Sequence, residues 1–272
     1  MPISGLLAGD IIRGIDRRPQ IGPSNGLLYA FAVNPSSGGG RIYTIDPLTG
    51  VAVPMAFLSA DPADSVVPFP FTQVSGTFHG VDFNPTVDRL RVVSDTGQNL
   101  RINVGNGLTQ LDVQLAFQSG DPNFGQTPLV TSVAYSNNFG GATSTTLYDL
   151  DSNLNILMTQ NPANSGLLNT VGGLGVDFGQ NTGFDISGLS GIAYAVLQPG
   201  GTGFSSLYTI NLTTGAAMLI GQVGSGFTLN GLAAPVGVPI NQPVPEPTTM
   251  LLLSTGLAGV AARMRRRSKT SS

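Results

Sequence analysis

A short phrase of alternating apolar residues, running into a turn built on Asp or Asn and Gly, returns four times along this chain. Its spacing constrains the fold more than any other feature. The clearest copies are Ile42-Tyr43-Thr44-Ile45-Asp46-Pro47-Leu48-Thr49-Gly50 and Leu207-Tyr208-Thr209-Ile210-Asn211-Leu212-Thr213-Thr214-Gly215. A third, Leu147-Tyr148-Asp149-Leu150-Asp151, leads to Asn155 where the others have Gly, and a fourth is Leu100-Arg101-Ile102-Asn103 with Gly107. Counted at the residue before the Asp or Asn, the copies stand at 45, 102, 150 and 210, spacings of 57, 48 and 60. Period-two alternation into such a turn describes a β-hairpin.

A second phrase leads each unit: Gly14-Ile15-Asp16-Arg17-Arg18-Pro19, Gly80-Val81-Asp82-Phe83-Asn84-Pro85 and, more loosely, Gly183-Phe184-Asp185. In the middle unit Leu129-Val130-Thr131-Ser132-Val133-Ala134-Tyr135 holds that place without the Asp. Each unit thus offers roughly four short strands in about 50 residues, with no helical periodicity, and reads as a propeller blade. A β-sandwich or β-helix is the alternative, and a period of blade size counts against both. The phrase starts once more at Phe227-Thr228-Leu229-Asn230-Gly231-Leu232-Ala233 with no hairpin after it, and Ile3-Ser4-Gly5-Leu6 resembles the last piece of a blade. The expectation is an all-β, propeller-like repeat over residues 1–236, with about five blades, the N-terminal one incomplete. The orphan phrase is expected to pair with N-terminal strands and to leave an open sheet edge.

Of 272 residues only 10% are charged, none is Cys and one, His79, is His. That removes thiol nucleophiles, Cys-ligated zinc, iron–sulfur clusters and disulfides, and leaves one imidazole for any Ser-His pairing. Residues 1–245 carry 14 Asp against 7 Arg, a net −7, while the only Lys and the only Glu lie in the last 27 residues. An acidic body repels phosphate backbones, so no nucleic-acid partner is expected.

The C-terminus divides into three parts: a Pro-rich spacer over 237–247, an uncharged stretch over 248–262 and a basic tail over 263–272. Fifteen helical residues span about 22 Å, short of the roughly 30 Å hydrocarbon core, so a short transmembrane helix here needs snorkelling arginines or local thinning. Arg263, Arg265, Arg266 and Arg267 form its membrane stop, and the positive-inside rule places them in the cytoplasm and the body outside. The alternative is a buried C-terminal helix, for which five basic residues in seven positions are poor packing material. Met1–Asp10 has no basic n-region and only a short apolar run. This start is therefore expected to be truncated relative to a longer, exported product; the competing reading is a tail-anchored protein with a cytoplasmic body.

Val244-Pro245-Glu246-Pro247, the apolar stretch and the terminal Arg cluster together resemble the PEP-CTERM sorting signal of Gram-negative bacteria. The resemblance implies export, transient anchoring in the inner membrane, cutting by exosortase near the motif, and a destination at the cell surface or outside. It implies that Glu246 serves recognition, and Pro-Glu-Pro keeps the backbone extended for a protease to read. The body is similar to a bacterial family catalogued as domain of unknown function 4394. Its telling segments are Gly80–Pro85, Asp88–Ser94, Gln98–Asn103, Thr145–Asp151 and Gln160-Asn161-Pro162, and it departs from the family at its start and at Arg17. No activity comes with that resemblance.

The recurring Asp of the leading phrase, at Asp16, Asp82 and Asp185, is the one speculative metal site. If leading strands line a channel, these carboxylates converge on a hard cation such as Ca²⁺; otherwise each caps its own turn. No cofactor beyond that cation is indicated. Asp149-Leu150-Asp151-Ser152-Asn153 copies half a Ca²⁺ loop, but Leu154 replaces the turn Gly and Gln160 the bidentate Glu. Asp88, Arg89, Arg91, Asp95 and Arg101 either clamp an anion or pair with one another across strands. No catalytic residues are assigned, and His79 and Gly188-Leu189-Ser190-Gly191 do not make a nucleophile elbow. Three functions stay open: a non-catalytic binding or matrix component for extracellular polysaccharide or another envelope partner, a secreted cation-dependent hydrolase or lyase at the channel mouth, and a purely structural biofilm or sheath protein. Convergence of the carboxylates within about 5 Å discriminates the second from the others.

Overall fold

The computed structural model describes residues 2–65, 67–200, 203–223 and 227–238. It is all-β apart from one short 3₁₀ turn, Ala163–Ser165. Four consecutive antiparallel meanders form the blades. Blade 1 comprises β1 (Ile11–Arg17), β2 (Leu28–Asn34), β3 (Gly39–Ile45) and β4 (Ala52–Phe57), and blade 2 comprises β6 (His79–Asn84), β7 (Arg89–Ser94), β8 (Asn99–Ile102) and β9 (Leu108–Leu111). Blade 3 is β11 (Val130–Tyr135), β12 (Leu147–Asp151), β13 (Ile156–Gln160) and β14 (Leu167–Gly173), and blade 4 is β15 (Gly183–Ile186), β16 (Ala193–Leu197), β17 (Ser205–Ile210) and β18 (Ala217–Val223). The leading phrases are the first strands, which face one another around the axis.

Packing explains the sequence pattern. Strand β2 is covered on one face by blade 2 and on the other by Leu6, Ile12 and Ile15, so Leu28–Asn34 reads as a nearly continuous apolar run and is buried along its centre. Tyr29, Phe31 and Ile42 of blade 1 interleave with Phe83, Leu90, Val92 and Leu100 of blade 2, and Tyr29 meets Phe83 edge-to-face at 5.3 Å. Fully burying each such side chain contributes about 1.5–3 kcal/mol. Equivalent clusters join blades 2 and 3 and blades 3 and 4. The outermost strands β4 and β18 are covered on one side only, which leaves Phe57, Met218 and Leu219 exposed.

The hairpin turns need a left-handed residue. Gly50, Gly107 and Gly215 supply it with φ of 72, 77 and 82°, and Asn155 substitutes with φ 56°. The third copy of the phrase, however, sits one strand out of step. Leu147–Asp151 is the second strand of its blade, whereas the other three copies are third strands. The same turn chemistry serves any hairpin, so sequence alone misregistered it; Gln160 ends the third strand of that blade.

Between blades the chain lays a short parallel piece on the next outer strand: β5 (Ser59–Ala60) on β9 and β10 (Ala116–Phe117) on β14. Ile3–Leu6 takes that place on blade 1, where Ser4 bridges Val51 in parallel. Contrary to the expectation from sequence, it does not pair with the orphan phrase. The orphan instead runs as an extended segment between β15 and β1, where Gly231 packs on Ile15. The outcome is four hydrogen-bonded blades and a fifth inner position filled by a single segment. No helix among the described residues is long and apolar enough to cross a membrane. The sorting motif Val244–Pro247, the apolar stretch 248–262, and Arg263, Arg265, Arg266 and Arg267 lie outside the described residues, as does the 237–247 spacer beyond Val238.

Candidate functional site

The inner ring is assembled by close approach at equivalent positions. A Cβ on Gly80 would stand 2.7 Å from the backbone of Ser132 and Val133, and one on Gly183 2.5 Å from that of Gly231. Gly14 meets Val81 in the same way, and Gly231 closes the circle on Ile15. In blade 3 the equivalent position is Ser132, whose hydroxyl bonds Thr182 at 2.6 Å and helps join blades 3 and 4. Only residues without bulk there let five inner segments converge.

Two residues after that position the side chain points to the axis. The series reads Asp16, Asp82, Ala134, Asp185 and Ala233, and the three aspartates offer oxygens that all lie within 4.8 Å of one another. The convergence expected for a cation site is thus present. Each carboxylate reaches toward the backbone of the next segment. Phe83 N–H donates to Asp16 Oδ2 at 2.8 Å and Ala234 N–H to Asp185 Oδ2 at 2.5 Å, while Arg17 N–H donates to Asp16 Oδ1 at 2.6 Å. Asp82 faces the Tyr135 N–H in the same relation, but too loosely for a hydrogen bond of normal geometry, which leaves both its oxygens without a close partner; Asp185 Oδ1 is likewise left. The expectation that each Asp caps its own turn is met only by the local Arg17 N–H on Asp16 Oδ1, whereas the Phe83 and Ala234 bonds tie neighbouring inner segments together.

All three are 1% exposed or less. Burial, then the neighbouring carboxylates, pushes the carboxyls of Asp16 and Asp82 well above the usual carboxylate range. Burial lifts Asp185 less, to about 6, because the Ala234 and Ile186 N–H groups favour its charged form. The ion pairs between described residues, Arg18–Asp88, Arg41–Asp10 and Asp112 with both Arg91 and Arg101, leave this trio out. Among the inner segments, bounded by Gly14, Gly80, Gly183 and Gly231, lies a gap of about 10 Å³, the size of one water, which none of the three aspartates lines.

The second feature is a cleft of about 510 Å³ between blades 2 and 3, lined by Asn84, Tyr135, Thr146, Thr159, Gln160 and Asn161 among others. A hollow of about 270 Å³ adjoins it through the shared Asn84 and Asn164 and adds Arg89, Arg101 and Gln110. Asn164, which lines both, accepts from buried Arg91 (2.7 Å), which also donates to Asn99 (2.7 Å) and Asp112 (2.6 Å) and so ties β7 to the 3₁₀ turn of blade 3. Sequence reading did not join these residues into a site. Asn84 and Gln160-Asn161-Pro162 fall inside segments that carry the family resemblance, and only the contact between blades makes them neighbours.

The remaining candidates resolve into structural roles. Asp151 accepts from Leu129, Asn153 and Leu154 N–H, which spends its oxygens on the turn and not on a Ca²⁺ loop. Asp149 is buried with both oxygens unpartnered, away from the trio, and burial raises its pKa well above the usual range. The charged set 88–101 splits apart: Asp88 pairs with Arg18, Arg91 and Arg101 share Asp112, and Asp95 accepts from Thr77 N–H. His79 is 4% exposed, with Nε2 3.2 Å from the Ser75 carbonyl oxygen.

The solved structures similar to this chain include a structural-genomics protein of unknown function from Bacteroides thetaiotaomicron. It is 16% identical with a TM-score of 0.47, over 79% of this chain and 53% of that one. A protein from Lactobacillus plantarum is 13% identical with a TM-score of 0.34, over 75% of this chain and 70% of that one. The chain spans about half the length of the first. No curated protein matches it. Residues 243–267 match the PEP-CTERM protein-sorting motif, the signal for exosortase processing, which implies export and C-terminal processing. Residues 1–233 match a second family model, and the chain belongs to that family, described as Domain of unknown function (DUF4394).

Proposed function

We propose that this exported protein is a non-catalytic binding module for extracellular polysaccharide or a related envelope component, held briefly at the inner membrane by residues 248–262 before exosortase cuts its tail. The observation that carries the reading is the cleft between blades 2 and 3. Its wall of amides and hydroxyls matches the hydrogen-bonding needs of a neutral sugar chain. Arg89 in the adjoining hollow, which Asp61 also lines, adds one charged donor to these contacts. The burial of the axial aspartates weighs against the hydrolase alternative, because a substrate bond does not reach carboxylates that are 1% exposed or less.

A glycan array probed with the purified protein tests this, with Thr146→Ala/Asn161→Ala as the paired variant. Both side chains are exposed on the cleft wall, so the variant is expected to keep the wild-type melting temperature and to lose binding about tenfold or more. Binding that is absent from the wild type, or unchanged in the variant, refutes the assignment of the cleft.

A further inference from the structure

We propose that Asp16, Asp82 and Asp185 form the protein part of a divalent-cation site on the propeller axis, suited to Ca²⁺, that pins blades 1, 2 and 4 to one another. The trio alone would not carry this. What points to a ligand is Asp82: fully buried, aimed into the cluster, and with neither oxygen in a hydrogen bond of normal geometry. A buried polar group left unpaired costs about 1–3 kcal/mol, more when charged, and Asp82, unlike the equally unpartnered Asp149, has two further carboxylates within reach to share a ligand. Asp185 Oδ1 adds a third unpartnered oxygen to the same cluster.

The donor set is all oxygen and all carboxylate, which selects a hard cation. The oxygens all lie within 4.8 Å of one another, a span that one ion with Ca²⁺–oxygen distances of roughly 2.4 Å gathers with small side-chain adjustments. Asp16 Oδ2 and Asp185 Oδ2 are held in place by the N–H groups of Phe83 and Ala234, an outer layer that fixes the ligands' orientation. An ion here joins three inner strands that are far apart in sequence, which gives a cysteine-free extracellular protein a cross-link of another kind.

The experiment uses the full chain, with elemental analysis of the protein as purified and melting curves after chelator treatment and Ca²⁺ addition. The expected result is close to one ion per chain, and a rise in melting temperature of roughly 5–10 °C at a hundredfold excess over Kd. Asp82→Asn keeps the shape and removes a buried charge, so it is expected to fold, melt no lower than the stripped wild type, and show no response to Ca²⁺. Asp149→Asn, a buried aspartate outside the trio, is expected to keep the full response. Absence of a bound ion together with no shift from Ca²⁺, Mg²⁺ or Mn²⁺ overturns the proposal in favour of carboxyls that share protons. An equal shift in Asp82→Asn overturns it by placing the ion elsewhere.

Discussion

Asp112 sits between two arginines, and the structure assigns unequal costs to removing each member of that group. Its side chain is fully buried and accepts from Arg101 through both oxygens, Nε at 2.7 Å and a terminal nitrogen at 2.8 Å, and from Arg91 at 2.6 Å. Arg91 is 2% exposed in its side chain, whereas Arg101 is 23% exposed and can turn to water. Asp112→Leu therefore strands Arg91 as a buried charge facing neutral amides, and leaving one partner of a buried pair alone costs about 3–5 kcal/mol. Arg91→Met leaves Asp112 with its two bonds to Arg101. Gln160 still reaches Asn99, and exposed Asn164 can turn to solvent, so the net loss is about 2 kcal/mol, near one charge-assisted hydrogen bond. Arg101→Met keeps the Arg91 contact and is expected to cost about 1 kcal/mol, in line with a partly exposed pair. Urea unfolding of the three variants and of Arg91→Met/Asp112→Leu measures the order, and the double variant is expected to lose at least about 1.5 kcal/mol less than the singles summed. Equal costs for Asp112→Leu and Arg91→Met, or full additivity, refute the reasoning.

Other consequences are equally direct. Burial, with Arg13 nearby outweighing Asp95, holds the His79 imidazole down at about 4 against 6.5 in the unfolded chain. Above pH 6.5 it is neutral in both states; between 6.5 and 4 only the unfolded chain takes the proton, so this residue removes about 3 kcal/mol of stability as pH falls. The buried aspartates act in the opposite direction, so the measurement is wild type against His79→Gln at each pH, and a gap that does not change by pH 4 contradicts the buried neutral ring. Gly80→Ala forces a methyl to 2.7 Å from the Ser132–Val133 backbone and is expected to cost about 2–3 kcal/mol, against nearly nothing for Gly173→Ala, which has open space; chemical denaturation compares them. In a host with exosortase, replacing Pro245, Glu246 and Pro247 by Ala is expected to leave the chain uncut, read by its mass in membrane and medium fractions.

The repeat was legible because each blade reuses one local solution, an alternating strand and a turn with a left-handed residue. That also explains the slip in blade 3. Asn155 closes a turn between second and third strands with the conformation Gly50, Gly107 and Gly215 use between third and fourth, and local chemistry carries no label for strand number. The axial aspartates were legible as a recurrence two residues after Gly, but their mutual distance depends on ring closure, which no local window contains. The partner of Arg91 was not legible: Asp112 lies 21 residues on and was not in the set of nearby charges. The cleft was hidden for the same reason, since Asn84 and Asn161 come from different blades.

All of this rests on residues 227–237 closing the inner ring between β15 and β1. The natural chain has no Cys, so Ile15→Cys/Gly231→Cys introduces a single possible intramolecular disulfide. A Cβ on Gly231 falls 3.2 Å from Ile15 Cγ1 and 3.8 Å from its backbone nitrogen, a spacing a disulfide can bridge. The account predicts that mild oxidation converts the double variant to a faster-migrating, reducible monomer, while Ile3→Cys/Gly231→Cys stays open. A link in the Ile3 pair with none in the Ile15 pair would contradict it.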